Sequence, residues 1–270
     1  MAATDTAAPA GAPATSTIAV RRVGPAAHLV LNAPERRNPL SLETMLEIID
    51  ALGALGADPE VRAIVIAGEG PVFSAGHDLR EMAGRDAVTY QRTVDVCTQM
   101  MELIHRTPQP VIARVHGVAT AAGCQLVAAC DLAIASSDAR FATPGVKIGL
   151  FCSTPMVPIS RAVGRKRALQ MLLTGDFVDA HTAAAWGLVN DVVAPGELDG
   201  AVAALVEKIA SFSPLTIAIG KDAFWTQIEL DEHRAYDVGR SVMVKNALTA
   251  DAQEGIAAFV EKRAPAWRGR

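Results

Sequence analysis

The chain has 270 residues, with 25 Lys and Arg against 29 Asp and Glu, a formal net charge of -4. Half of the residues are hydrophobic and 20% are charged, which excludes a disordered chain and leaves ample apolar material for a core. No basic excess marks nucleic acid as the main partner, and apolar runs such as Leu126-Val127-Ala128-Ala129-Cys130 fall far short of the ~20 residues a membrane helix needs.

Residues Met1 to Ser16 are Ala, Pro, Thr and Gly with one Asp. They carry neither the basic and apolar regions of a secretory signal nor the Arg of a transit peptide, so a disordered tail is expected. Thr17-Arg22 and Ala27-Asn32 read as two short strands around a Gly24-Pro25 turn. Ser41 is placed to cap a helix in which Leu42, Met45, Ile48, Ile49 and Leu52 recur at helical spacing. Arg62-Ala67 is a buried-type strand, and Val72-Phe73 a second one before the loop Ser74-Ala75-Gly76-His77-Asp78. A helix over Tyr90-Arg106 stops at Pro108 and Pro110. Val111-Val115 and Asp131-Ala135 are strands on either side of a small-residue segment, Gly117-Gly123, that enters a helix through Cys130. Strand, turn and helix alternate, which argues for a right-handed α/β arrangement with parallel strands. From Thr154 onward the signals are almost all helical, the first of these helices starting near Pro155 with Ser153 or Thr154 as its cap.

The four cysteines, Cys97, Cys124, Cys130 and Cys152, form no CxxC pair and are too sparse for a disulfide scaffold. A reduced, cytoplasmic compartment is therefore expected. His28, His105, His116, His181 and His233 lack metal-ligand spacing, so no metal is expected.

Two turns carry the chemistry. In Phe73-Ser74-Ala75-Gly76-His77-Asp78-Leu79 a strand ends, Gly76 frees the backbone, and Asp78 can cap a helix starting at Leu79. Gly117-Val118-Ala119-Thr120-Ala121-Ala122-Gly123-Cys124-Gln125 also lies between a strand and a helix start. At both, backbone N–H groups point forward at a helix N-terminus, where negative charge is favoured. Two such turns facing one point would form a two-donor oxyanion hole; as a bare pattern such turns more often serve plain tight packing.

The pairing of FSAGHDLREM (Phe73 to Met82) with IARVHGVATAAGCQLVAACDLAIAS (Ile112 to Ser136) resembles the enoyl-CoA hydratase/isomerase, or crotonase, family. PERRNPLS (Pro34 to Ser41), RFATPGVKIGL (Arg140 to Leu150) and GLVNDVV (Gly187 to Val193) extend the likeness over roughly residues 17 to 270. The GHDL, ATAAGCQL and GLFCSTP strings are similar to those of one subgroup within it. The resemblance implies an α/β spiral of ββα turns over residues 17–205 and a helical C-terminal region over 206–270 that builds a homotrimer or a dimer of trimers. It implies an acyl-CoA ligand, with coenzyme A part of the substrate and no separate cofactor. The thioester carbonyl would accept from the backbone N–H of His77 and of Ala122. Arg37 and the Ser74, Ala75, Gly76, His77 loop would meet the CoA, and Phe259 and Lys262 match positions that reach a neighbouring subunit's CoA, or are an ordinary helix-face aromatic and a solvated lysine.

The chain departs from the hydratases at the acid/base pair. Hydratases of the family place one Glu in a GGGCEL string and one in a QPE string; here those positions are Gln125 and Gly145. A general acid or base is worth roughly 10²–10⁴ in rate, so ordinary hydratase activity should be lost while the oxyanion hole survives. Restoring both Glu residues should then create or raise it, with Gly145 at risk if its backbone angle resists a side chain. Ala122 also replaces a customary glycine and adds a methyl group. His77 lies in a GHD string that methylmalonyl-CoA decarboxylases of the superfamily share; either its ring handles protons or only its N–H matters. Cys152 is either a reactive thiol or a small filler. Gln125 can hydrogen-bond a substrate carbonyl or water, and Met100 and Met101 either line the acyl pocket or pack in the core. Three functions follow: a non-hydratase acyl-CoA enzyme such as a decarboxylase, isomerase or thioester hydrolase; a non-catalytic acyl-CoA binder; and a hydratase with substituted groups.

Overall fold

The computed structural model describes residues 16–270, so the expected tail lies outside the described residues apart from Ser16. Strands β1 (Ile18–Val23) and β2 (Ala26–Leu31) form the expected antiparallel hairpin, Val23 opposite Ala26. The short strand β3 (Pro39–Leu40) precedes helix α1 (Leu42–Gly56), whose first turn is capped by Ser41 Oγ accepting from Thr44 N–H at 3.1 Å. Then come β4 (Ala63–Gly68), β5 (Val72–Ser74), β6 (Gly76–His77), α2 (Leu79–Met82) and α3 (Ala87–Arg106). A second round gives β7 (Val111–Val115), β8 (Val118–Thr120) and α4 (Ala122–Ala129); a third gives β9 (Leu132–Ser136), β10 (Arg140–Ala142), α5 (Met156–Val163) and α6 (Arg165–Thr174). The chain continues through β11 (Val178–Asp179), α7 (Ala180–Trp186), β12 (Asp191–Val193), α8 (Leu198–Ala210), α9 (Pro214–Gln227), α10 (Glu232–Ala247) and α11 (Ala250–Glu261).

The rounds stack. Their first strands enter one six-stranded sheet, ordered β1-β2-β4-β7-β9-β12, and their second strands enter another, ordered β11-β10-β8-β5. All neighbours from β2 to β12 in the first sheet are parallel. β4 shows why its sequence is an unbroken apolar run. Ile64 and Ile66 face the main core with α1 and α3, while Ala63 and Val65 face a second core closed by Leu198, Val202 and Val206 of α8. With both faces covered, alternation between polar and apolar residues disappears. Each fully buried Ile or Leu is worth about 2 kcal/mol.

Three details differ from expectation. Residue 205 lies inside α8, which covers the sheet as far as Ala210, so the C-terminal helical region starts after that helix. Neither Ser153 nor Thr154 caps α5: Pro155 holds that position and no side chain bonds the first turn. Short strands β10, β11 and β12 interrupt a stretch that reads as loop or helix.

The C-terminal helices join the core through a buried clasp. Lys221 Nζ on α9 lies 2.6 Å from Asp131 Oδ2 and donates to the carbonyls of Ile104 and Gln109, each at 2.8 Å. Asp131 also accepts from Trp225 Nε1 and from the backbone N–H of Val111. Asp131, just before β9, thus has a structural role. Among the described residues no single helix is long and apolar enough to cross a membrane.

Candidate functional site

The two turns meet. Gly76 has φ +87°, and a Cβ there would stand 2.9 Å from Thr120 O and 3.0 Å from both Ala121 Cβ and Ala122 N. Glycine is thus required twice, for its backbone angle and for the close approach. The contact brings β6, ending at His77, against the start of α4 at Ala122. Thr120 Oγ1 donates to Ala75 O at 3.1 Å and ties one turn to the other. Gly123 is equally close to the first turn, since a Cβ there would lie 2.5 Å from Ser74 O.

Each turn is held from behind. Ser74 Oγ donates to Asn38 O at 2.8 Å and accepts from Gly76 N–H at 3.2 Å. Ala75 N–H donates to Arg37 O at 3.0 Å, so Arg37 supports this loop through its backbone while its side chain is exposed. Asn38 is only 2% exposed. Its amide nitrogen donates to Glu69 O and Val72 O, and its oxygen accepts from Ala33 N–H. Sequence reading passed over it, although an Asn before Pro is a turn signal. Asp78 caps α2 as expected, accepting from Arg80 N–H at 3.0 Å.

On the second turn, Ala121 N–H donates to Ala142 O at 2.9 Å. Ala121 itself sits at φ 50°, ψ -120°, a region natural to glycine and costing other residues about 1–3 kcal/mol. The first N–H groups of α4 have no acceptor within the helix, and Ala122 N lies against Gly76 of the first turn. Ala121→Gly should therefore raise stability by about 1 kcal/mol after the added chain entropy of glycine. Thermal unfolding checks this, and a fall in the midpoint would contradict it.

His77 turns its imidazole toward β3. Its Nδ1 lies 3.2 Å from Leu40 O; a carbonyl only accepts, so Nδ1 carries the hydrogen. Burial pushes its pKa below the ordinary value, leaving a neutral ring anchored to the backbone. That favours His77 as a backbone donor. His28, His105 and His116 are likewise pushed below 6.5, burial being the first cause for each. Below 6.5 the unfolded chain then binds more protons than the folded one. Stability should be fully present above that pH and be lost as pH falls through the lowered values. A thermal midpoint that is flat from pH 7 to about pH 5 would contradict this.

Gln125 is 3% exposed on α4, with Cys97 Sγ 3.9 Å from its Oε1. Gly145 is closed in: a Cβ there would stand 2.3 Å from Leu150 O and 2.8 Å from Cys152 Sγ. Cys152 thus fills the space beside Gly145. Burial raises its thiol pKa, which argues for a neutral filler over a thiolate nucleophile. Burial pushes the Cys97 and Cys124 thiols up to about 12. Met100 and Met101 are 0% and 6% exposed and belong to the main core. Phe259, 85% exposed, and Lys262, the left-handed C-cap, end α11, which packs on α9 and α10.

A groove of ≈ 660 Å³ opens at Glu81, lined by Leu42, Leu46, Thr89 and Thr93 and by the charged Glu43, Glu47, Asp50 and Arg85, so that carboxylates outnumber the one cation. Its carboxylates would repel CoA phosphates. Among the described residues no group of three or more His, Cys, Asp or Glu is arranged to hold a metal ion.

The profile of the enoyl-CoA hydratase/isomerase family matches residues 24–270. The chain is 45% identical over 241 residues to enoyl-CoA hydratase domain-containing protein 3, mitochondrial, of Rattus norvegicus, covering 89% of this chain and 80% of that one. This is the subgroup that the GHDL and GCQL strings suggested. The crystal structure of the human member superposes with a TM-score of 0.90 at 42% identity, over 93% of this chain and 100% of that one. A Mycobacterium smegmatis enoyl-CoA hydratase gives 0.91 at 48% identity, over 93% and 98%. The rat protein and its counterparts in mouse, Xenopus laevis, Danio rerio and human are named as mitochondrial. That overturns the expectation of a cytoplasmic location, which rested on unpaired cysteines alone, and reduced cysteines do not distinguish one reducing compartment from another. Over nearly its whole described length, in sequence and in fold, the chain belongs to the enoyl-CoA hydratase/isomerase family.

Proposed function

We propose that the protein binds an acyl-CoA thioester with its carbonyl oxygen between the backbone N–H groups of His77 and Ala122, and that it is not an ordinary hydratase. The observation that carries the first part is the contact of Gly76 with Thr120 O and Ala122 N, which sets the two turns side by side. Such donors favour an enolate or oxyanion over a ground-state carbonyl, one donor being worth roughly 3 kcal/mol in the barrier. Gln125 is an amide that exchanges no proton near neutral pH, and Gly145 has neither a side chain nor room for one. The supporting family includes named hydratases; the Mycobacterium smegmatis neighbour is one. The reactions left open to an oxyanion hole without that carboxylate pair are decarboxylation, isomerisation and thioester hydrolysis, or ligand binding without turnover.

CoA would run from the Ser74–His77 loop past Arg37. The protein would work as a homotrimer or dimer of trimers, with Phe259 and Lys262 reaching a neighbour's CoA. Supporting this, α9 and α10 contain no fully buried residue in the single chain, and Met243, Leu248 and Phe259 are 71%, 78% and 85% exposed. That is more apolar surface than a solitary helical arm shows to water.

The test pairs binding with turnover. Calorimetry should detect binding of crotonyl-CoA, while its hydration should be absent or far below the ~10 s⁻¹ of a typical enzyme. Hydration at that typical rate would refute the non-hydratase reading, and a failure to bind any acyl-CoA would refute the ligand.

A further inference from the structure

We propose that the Thr143 hydroxyl is a ligand-binding group of this site, placed to meet an oxygen carried by the acyl chain, so that the preferred ligands are acyl-CoAs with a hydroxyl, keto or carboxyl oxygen near the thioester. Thr143 is 0% exposed, and its Oγ1 has no hydrogen-bond partner among the described residues. Buried hydroxyls are nearly always paired, because an unpaired one forfeits its bonds to water without replacement. A valine would fill the same volume at no such cost.

The position of this hydroxyl is specific. Thr143 directly follows β10, whose last residue, Ala142, aligns with Thr120 and accepts the N–H of Ala121. It therefore lies beside the turn that leads to Ala122, two residues before Gly145. The other hydroxyls of the two turns are engaged: Ser74 with Asn38 O, Thr120 with Ala75 O. Among the described residues, the other buried unpartnered side-chain atoms belong to Gln109, His116 and Asn246, outside both turns and outside the segment from Thr143 to Cys152. Thr143 thus follows a strand that pairs with the second turn, and its hydroxyl has a donor and an acceptor unused among the described residues.

Its chemistry sets the ligand class. A hydroxyl is neutral and both donates and accepts, and the nearby hydratase position holds the neutral amide of Gln125. Neutral groups of this kind suit an oxygen on the acyl chain; a plain hydrocarbon chain would leave Thr143 unpaired. The hydroxyl is closed to solvent, so contact with the acyl oxygen requires neighbouring side chains to part.

The inference rests on the acyl-CoA reading above, and the experiment separates the two. Calorimetry on the full chain compares butyryl-CoA with 3-hydroxybutyryl-, acetoacetyl- and malonyl-CoA, for the unmodified protein, Thr143→Val and Thr143→Ser. The unmodified protein should bind at least one oxygenated ligand about tenfold more tightly than butyryl-CoA, the worth of one good hydrogen bond. Thr143→Val should abolish that preference, keep butyryl-CoA affinity and unfold at no lower a temperature. Thr143→Ser should keep the preference. Equal binding of all four by the unmodified protein, or a preference that survives Thr143→Val, overturns the role of Thr143 alone; an internal water satisfying the hydroxyl would give that result. Binding of none overturns both readings.

Discussion

Replacing Gly76 with alanine should abolish tight acyl-CoA binding while leaving a folded protein. The new methyl group would stand 2.9 Å from Thr120 O and 3.0 Å from Ala122 N, both backbone atoms, at a φ of +87°. Neither neighbour can rotate away as a flexible side chain would, so the turns must separate. Overpacking of this kind costs about 1–3 kcal/mol, which a domain of this size can absorb. The geometry between the two donors is less forgiving, because an oxyanion hole works only while both N–H groups reach one oxygen. Any turnover that depends on the hole should fall by roughly 10²-fold or more. Calorimetric titration with acyl-CoA, alongside circular dichroism to verify folding, reads the outcome. Unchanged affinity in a folded Gly76→Ala protein would mean that the turns do not form the site.

Placing glutamate at position 145 should fail to create a hydratase. The sequence suggests that Gln125→Glu with Gly145→Glu would restore the acid/base pair, with the backbone angle of Gly145 as the risk. The structure relocates that risk. Gly145 is not among the glycines with positive φ; the obstacle is space, since its Cβ would overlap Leu150 O at 2.3 Å and crowd Cys152 Sγ at 2.8 Å. The Leu150 N–H donates to Gly145 O at 2.9 Å, so this segment is closed upon itself. Gly145→Glu should cost about 3 kcal/mol, visible as a lowered thermal midpoint, and the double variant should remain inactive on crotonyl-CoA. Gln125→Glu alone should fold. A double variant that folds at the original midpoint and hydrates crotonyl-CoA would show that the loop yields.

Residue types and spacing made part of this legible. The hairpin, the Ser41 cap and the unbroken apolar β4 each follow from local rules that tertiary contacts reinforce. The two turns were legible as strand-to-helix turns from Gly76 and the helix-capping Asp78, while the acyl-CoA site proposed for them came from the family resemblance and not from local rules. The rest was hidden where tertiary geometry overrides local preference. β8 lies within a run of small residues that reads as loop, and its pairing partners come from distant strands. Ala121 gave no hint of a glycine-like backbone, because only the packing of β10 and Gly76 against its turn imposes that angle. Asn38 looks like a plain turn residue until its three hydrogen bonds are traced. The closure over Gly145 depends on Leu150 and Cys152, whose positions no periodicity fixes.

The central claim is that the His77 and Ala122 N–H groups hold a thioester carbonyl. The most direct measurement is a crystal structure of the protein with a bound acyl-CoA. The carbonyl oxygen should lie at hydrogen-bond distance, about 2.7–3.2 Å, from both backbone nitrogens. A well-ordered ligand with that oxygen beyond hydrogen-bond reach of both nitrogens would contradict it.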